Sequence, residues 1–519
     1  MTETAHALGA SRTLWELIDR RAALTPGRTA LIQDDGRRLA FGELRDRCER
    51  VAAGLYALGV RPGTVVAWQL PTRIETVLLT GALARIGAVQ SPVIPFYRDR
   101  EVGFALRESK ADFFAVPGTW RGFDHGEMAR RLGARGVFDA YASLPDGDPA
   151  VLPPPPADGT SVRWIYWTSG TTSDPKGVLH TDRSLIAGGS CLAHALRLTP
   201  DDVGSIAFPF AHIGGADYLV MLLLYGFPAV LFEKFALPDA LETYRRHGVT
   251  TAGGSTAFYA MFLAEQRKQP GEPVVPSLRL LAGGGAAKPP ELYHAIVREM
   301  GVQLTHGYGM TEVPMITMGD PDDTPENLAT TEGRPPEGME IRIVDGEVRL
   351  RGEAVCRGYL DPAQTAAVFD PDGFLITGDL GHLTESGHLV LTGRLKDVII
   401  RKGENVSAKE IEDLLHEHPA VGEAAVIGLP DPERGERVCA VLTPRPGAGA
   451  PPGLADVTSY LRKAGLAVHK LPEQVEVMET LPRNETLRKV LKYKLRERFS
   501  STSAPLRSEK PHAHRRTRS

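Results

Sequence analysis

The stretch Val162-Arg163-Trp164-Ile165-Tyr166-Trp167-Thr168-Ser169-Gly170-Thr171-Thr172-Ser173-Asp174-Pro175-Lys176-Gly177 is the most informative in the chain. Its first residues, Val162 to Tyr166, are rich in aromatic and β-branched side chains and read as a strand. Beyond them the stretch holds short hydroxyl side chains at Thr168, Ser169, Thr171, Thr172 and Ser173, glycines at Gly170 and Gly177, and one cation, Lys176. A loop rich in hydroxyls and backbone N–H groups can wrap phosphate oxygens, and a lysine adds a point charge. The spacing G-x-x-x-x-G-K-[ST] cannot be drawn through it, so it is not the usual nucleotide P-loop. Alone, the stretch fits a polar surface loop as well as a phosphate cradle.

On either side, the sequence alternates between two periods. Leu44, Cys48, Val51, Ala52 and Leu55 follow helical spacing, and Thr64 to Trp68 is a short β-prone run. Glu75 to Ala88 reads as a helix, and Ala111 to Val116 as a strand. Strands alternating with helices predict an α/β domain with mainly parallel sheets. Four consecutive prolines, Pro153 to Pro156, form a connector that no helix crosses. From about Glu347 the strands are short and separated by Gly-containing turns, Thr384 to Gly387 among them, which predicts a β-rich subdomain. After Lys396 the pattern is a hairpin, a helix from about Ala408, strands near 424–427 and 438–442, and helices near Val457 and Val490. The fold class expected is therefore α/β and multidomain. It has a large N-terminal domain over 1–395, a small C-terminal α+β domain over 396–500, and a disordered basic tail over 501–519.

Composition narrows the function classes. The chain has 519 residues, with 60 Lys and Arg against 64 Asp and Glu, a net charge of −4. That balance offers no whole-chain argument for nucleic acid or an anionic membrane. The cysteines, Cys48, Cys191, Cys356 and Cys439, are too scattered for a zinc site and fit a reducing compartment, hence a cytoplasmic expectation. The N-terminus has no signal-peptide pattern. The longest apolar run, Tyr218 to Phe232, falls short of the ~20 residues of a spanning helix and is interrupted by Gly226 and Pro228.

Four further motifs carry chemistry. In His306-Gly307-Tyr308-Gly309-Met310-Thr311-Glu312 an aromatic ring sits between glycines, which admit close approach, and a carboxylate four residues on suits a hard cation such as Mg²⁺. Thr377-Gly378-Asp379 reads as a turn after a strand, its acid suited to accept from two ribose hydroxyls. Then come Gly393-Arg394-Leu395-Lys396-Asp397, with Arg401-Lys402-Gly403-Glu404-Asn405 close behind, and the late basic run Leu481 to Lys492. Each of the last three is weak alone. Their common order is not, and over residues 10–498 the chain resembles the adenylate-forming superfamily of acyl-CoA synthetases, beetle-type luciferases and peptide-synthetase adenylation domains. Residues 401–412 and 426–431 look like the acyl-CoA synthetase branch. Pro92-Val93-Ile94-Pro95 with Arg98 to Glu101 is similar to bacterial medium-chain and alicyclic, cyclohexanecarboxylate-type, acyl-CoA ligases.

The resemblance implies an ATP-dependent acid–thiol ligase. The carboxylate attacks the α-phosphorus of ATP, pyrophosphate leaves, and CoA displaces AMP from the acyl-adenylate. It implies that Thr168, Ser169, Gly170, Thr171, Thr172 and Lys176 wrap phosphates, and that Gly284, Gly285 and Ala286 meet the adenine edge. Tyr308, between Gly307 and Gly309 and beside Met310, stacks on the base. Thr311 contacts the α-phosphate, Glu312 holds Mg²⁺, and Asp379 and Arg394 hold the ribose. His212 lies near the reacting carboxylate, Lys396 is a hinge, and Lys402, Gly403, Glu404 and Asn405 face CoA. The catalytic lysine departs from the family spacing by one residue. Counting forward selects Arg488 and counting back selects Lys489, and Lys489, followed by Val-Leu-Lys, matches better. Val313, Pro314, Met315, Tyr218 and Val220 suggest an apolar acid. Asp217 is out of register for holding an α-amino group, so an amino acid substrate is not expected. A carrier-protein thiol as acceptor and a non-catalytic nucleotide-binding homologue are the alternatives. No carrier-like segment follows residue 500.

Overall fold

The computed structural model describes residues 3–168, 175–237, 239–286, 288–402, 404–449, 452–484 and 488–500. Ser169, Gly170, Thr171, Thr172, Gly403 and the basic tail after residue 500 lie outside them. The chain divides into two compact units, Met1–Lys396 with Arg483–Lys489, and Asp397–Pro482 with the segment from Val490 onward.

Among its described residues the first unit is α/β, with four sheets of four or more strands and a two-stranded ribbon, Thr119–Trp120 with Phe123–Asp124. The largest has six strands in the order Gly177–Thr181, Val162–Trp167, Val89–Pro92, Val65–Trp68, Phe113–Val116 and Val137–Asp139. All its pairs are parallel except the first, which is antiparallel. A second sheet orders Gly204–Ile206, Ala229–Leu231, Thr29–Gln33 and Arg38–Ala40. A third carries Thr251–Gly254, Leu280–Gly284, Gln303–Met310 and Val313–Met318, parallel except for the last pair. The fourth is fully antiparallel: Met339–Val344, Glu347–Gly352, Leu375–Leu383 and Leu389–Arg394.

Parallel strands need crossover helices, and those helices bury one face against the sheets. The helix Phe41–Ala57 buries Leu44, Cys48, Val51, Ala52 and Leu55, the positions its period marks. Two helices, Ile74–Ile86 and Ile213–Tyr225, are apolar nearly all round and are buried nearly all round, as that composition requires. The run Tyr218 to Phe232 thus splits into the end of a core helix and the core strand Ala229–Leu231, and Gly226 between them takes a left-handed φ of 72°. Among the described residues no helix is long and apolar enough to cross a membrane.

The second unit is a small α+β body. Its sheet orders Glu404–Ser407, Val398–Arg401, Gly435–Pro444 and Val421–Asp431, with Gln474–Val477 alongside Gly435–Pro444. The helices Ala408–His416, Leu454–Lys463 and Lys492–Ser500 complete it. Ile399, Val406, Ile411, Leu415, Val426, Val438 and Leu461 form its core.

One local expectation is corrected. Thr377-Gly378-Asp379 is not a turn after a strand but lies inside the strand Leu375–Leu383. Pairing with Glu347–Gly352 jumps from Ile376 to Leu380 there, so the three residues form a bulge, with Gly378 at φ 72°. The bulge seats Asp379 opposite Arg394 on the neighbouring strand.

Candidate active site

A cavity of about 680 Å³ opens in the first unit and is bordered by most of the residues singled out above. Thr168, Lys176, His212, Gly284, Gly285, Gly307, Gly309, Met310, Thr311, Glu312, Asp379, Arg394, Lys396 and Lys489 all line it. They come from or beside three of the larger sheets, from the start of one core helix and from Lys489.

Thr168 and Lys176 are tied to each other. The Thr168 N–H donates to the Lys176 carbonyl at 3.0 Å, and the Lys176 N–H donates to Thr168 Oγ1 at 3.2 Å. Lys176 Nζ stands 5.0 Å from the ring centre of Tyr359, whose hydroxyl donates to Glu312 Oε1 at 2.7 Å. Among the described residues no group of three or more His, Cys, Asp or Glu gathers as a metal cage. One carboxylate suits a Mg²⁺ that draws its remaining ligands from water and phosphate oxygens. Thr311 and Glu312 form the turn between two strands, and buried His180 pins it by donating from Nε2 to the Thr311 carbonyl at 2.8 Å. Burial pushes the His180 imidazole down to about 4, so it stays neutral. His180 and Tyr359 were not singled out from the sequence, since neither belongs to a motif and both act only through contacts distant in the chain.

Asp379 is buried, and Arg394 Nε meets its Oδ1 at 2.7 Å while the Tyr308 hydroxyl donates to its Oδ2. Tyr308 itself does not border the cavity. On the strand Gln303–Met310 side chains alternate, so the positions of Gly307 and Gly309 that face the cavity turn Tyr308 the other way, into a core with Val313, Ile316 and Leu350. Its hydroxyl orients Asp379. Ala286 is likewise outside the lining, and its carbonyl accepts from His306 Nε2 at 2.9 Å. Gly284 does line the cavity, and a Cβ there would collide with the carbonyl of Gly307 on the next strand. Strand packing alone therefore requires that glycine.

His212 is the N-cap of Ile213–Tyr225, its Nδ1 accepting from the Gly214 N–H at 3.2 Å. Burial, and then the charge of Lys489, push it down to about 4. The imidazole is neutral, and with Nδ1 accepting, Nε2 carries the proton. The two late cations differ in where they lie. Lys489 borders the cavity, while Arg488 has a left-handed φ of 58° and an exposed side chain. Lys489 is fixed by Asn484: its N–H donates to Asn484 Oδ1 at 2.9 Å, and its carbonyl accepts from the Asn484 N–H at 2.9 Å. Desolvation, and then Arg394, bring the Lys489 ammonium down to about 8. Four cations, Lys176, Arg394, Lys396 and Lys489, thus face two carboxylates, Glu312 and Asp379, an excess that suits a polyanion.

The apolar lining comes from other elements: Leu192, Leu196 and Leu198 from and after one helix, and Phe208, Ile213, Tyr218 and Met221 from and before the next. Of the expected apolar residues Tyr218, Pro314 and Met315 border the cavity, and Val220 and Val313 do not. Asp217, Ser205 and Thr251 also line it, so the lining is not wholly apolar. In the second unit Lys402 sits in the hairpin turn after Val398–Arg401, at φ 53°, with Glu404 and Asn405 exposed on the returning strand.

Known proteins resemble the chain over most of its length. The AMP-binding enzyme family profile matches residues 18–360, and the AMP-binding enzyme C-terminal domain profile matches residues 410–488. The chain is 34% identical to a salicyl-AMP ligase / salicyl-S-ArCP synthetase of Mycobacterium tuberculosis, over 91% of this chain and 88% of that one. It is 29% identical to a medium-chain fatty-acid–CoA ligase of Escherichia coli, over 92% and 88%. The structure of o-succinylbenzoate coenzyme A synthetase from Bacillus subtilis with ATP and magnesium superposes with a TM-score of 0.81 at 30% identity, covering 92% of this chain and 98% of that one. The protein belongs to the AMP-binding enzyme family, within the adenylate-forming superfamily of ligases.

Proposed function

We propose that the protein activates a carboxylic acid with ATP as an acyl-adenylate, releasing pyrophosphate, and then transfers the acyl group to the thiol of CoA. The observation that carries this reading is a cavity in which a cationic set, Lys176, Arg394, Lys396 and Lys489, and an apolar set around Leu196, Phe208 and Met221 border the same space. A carboxylate and a polyphosphate repel each other, so their reaction needs preorganised cations and donors where the new bond forms.

The roles follow from position. Lys176 and the loop it closes hold phosphate oxygens. Glu312, kept in place by Tyr359, would hold Mg²⁺, which neutralises phosphate charge when bound. Asp379, oriented by Tyr308 and Arg394, accepts from ribose hydroxyls. Neutral His212 offers an N–H to the entering carboxylate without drawing off its charge. Lys489 places its ammonium on the oxygens whose charge is shared only while the acyl–phosphate bond forms. Thr311 offers its hydroxyl to the same oxygens.

Acid-dependent exchange of labelled pyrophosphate into ATP tests the first step, and the absence of exchange with any acid in a broad panel leaves only a nucleotide-binding homologue. CoA as acceptor follows from resemblance in residues 401–412 and from the coenzyme A ligases among the relatives. The salicyl-AMP ligase, named also for loading a carrier protein, supports the second reading, in which a carrier thiol takes the acyl group. Supplying CoA and a purified carrier protein in parallel decides between them.

A further inference from the structure

The peptide unit that joins Arg488 to Lys489 is held at both ends. Its carbonyl accepts from the Arg483 guanidinium, and its N–H donates to Asn484 Oδ1 at 2.9 Å. One unit further on, the Lys489 carbonyl accepts from the Asn484 N–H at 2.9 Å. Two adjacent residues, Arg483 and Asn484, thus give the backbone around Lys489 three hydrogen bonds. All four residues belong to the compact unit that holds the cavity.

Arg488, just before that peptide unit, has a φ of 58°. This is the left-handed region, which glycine enters freely and which a Cβ makes costly. The Arg488 side chain is exposed, so its own packing does not impose the conformation. Strained backbone persists only where its surroundings over-determine it, and it gathers where geometry is used. Here the three bonds over-determine it, and the side chain they aim, Lys489, borders the cavity. Turning the 488–489 peptide unit over would break two of these bonds at once and redirect Lys489. A misplacement of about 1 Å at a reacting group can cost about a hundredfold in rate.

We propose that Arg483 and Asn484 are positioning residues for adenylation: they hold Arg488 in a backbone conformation that arginine does not keep unaided, and thereby aim Lys489 into the cavity. This rests on the ligase reading above and adds the device that places its lysine. Glycine at position 488 would need less holding, so the clamp and residue 488 are coupled. A merely structural Asn484 would have no such coupling and would affect both half-reactions alike.

The test is a double-mutant cycle of Asn484→Ala and Arg488→Gly in the full-length protein. Single-turnover rates are measured for acyl-adenylate formation and for acyl transfer from presynthesised acyl-adenylate to the thiol. Asn484→Ala should slow adenylation by on the order of tenfold or more, with KM for ATP and the transfer step moved only a few fold. Relative to Arg488→Gly alone, the same alanine should cost much less. An unchanged adenylation rate in Asn484→Ala, an equal loss in both half-reactions, or a loss that glycine does not reduce overturns the proposal. Competitive labelling of amines with acetic anhydride reads Lys489 without turnover. Its ammonium, brought down to about 8 by desolvation and then Arg394, should rise toward the ordinary lysine range in Asn484→Ala and fall back in the double variant. A wild-type Lys489 already in the ordinary range, or one that Asn484→Ala leaves unmoved, also overturns it. Absence of acyl-adenylate with every acid overturns the ligase reading instead, and the labelling still decides whether the clamp aims the lysine.

Discussion

Lys489 shows how much one residue's surroundings decide. The sequence prefers it to Arg488 only by the Val-Leu-Lys that follows, and both are basic. In the structure Asn484 clamps its backbone from both sides, and its side chain borders the cavity while Arg488 points to solvent. Lys489→Ala should therefore slow acyl-adenylate formation by on the order of a hundred- to a thousandfold, the usual loss when one preorganised donor to a transition state is removed. Arg488→Ala should leave that rate within a few fold, and a reversed pair in single-turnover assays sinks the assignment. The same residue sets a pH limb. Its ammonium is brought down to about 8, so it is charged below that pH and neutral above it. Adenylation should fall as pH rises through about 8, whereas His212, at about 4, stays neutral across the whole range. A rate that stays flat to about pH 10 and falls only near the ordinary lysine value would show that the ammonium is not lowered by its surroundings.

Among the elements, the helix Ile213–Tyr225 positions both His212 at its start and Asp217 and Met221 along one wall. Its last carbonyls are buried and need donors. Arg21 supplies them from the helix Leu14–Leu24, donating from Nε to Leu223 and from a terminal nitrogen to Leu224, each at 2.5 Å. Arg21→Met should cost about 1–3 kcal/mol, because two carbonyls lose a charged donor and stay buried. Chemical denaturation of the variant should show the lowered midpoint, and an unchanged midpoint would mean that water or a shifted backbone satisfies those carbonyls. The bulge at Thr377 to Asp379 works on the same scale. A regular strand would give Asp379 a different facing, and Gly378 provides the left-handed residue that re-aims it.

For the molecule as a whole, the division into two units falls at Lys396. The proposed function needs two different reactions, and the pivot proposed at Lys396 would serve them in turn. Lys396→Pro fixes φ at that point. Transfer of the acyl group from presynthesised acyl-adenylate to the thiol should drop much further than pyrophosphate exchange, which loses only one of four cavity cations. Rapid-quench measurement of each half-reaction checks this, and an equal loss in both would place the pivot elsewhere.

The α/β class, the core helices and the motif inventory are legible in the sequence alone, because they depend on period and composition over short spans. The helical spacing of Leu44 to Leu55 and the apolar runs at Ile74 and Ile213 decide burial wherever the chain folds around them. Thr168, Lys176, Glu312, Asp379 and Arg394 stand out because their neighbours carry recognisable chemistry, and all five meet at one cavity. It takes the folded chain to show that Tyr308 turns inward to orient Asp379 and that His180 pins the Thr311 turn from 131 residues away. The facing of a strand residue depends on the bulges and register of its partners, and the partner of a buried polar group is set by which strands and helices come to lie beside it. Neither quantity is local in the chain, so no window of sequence contains it.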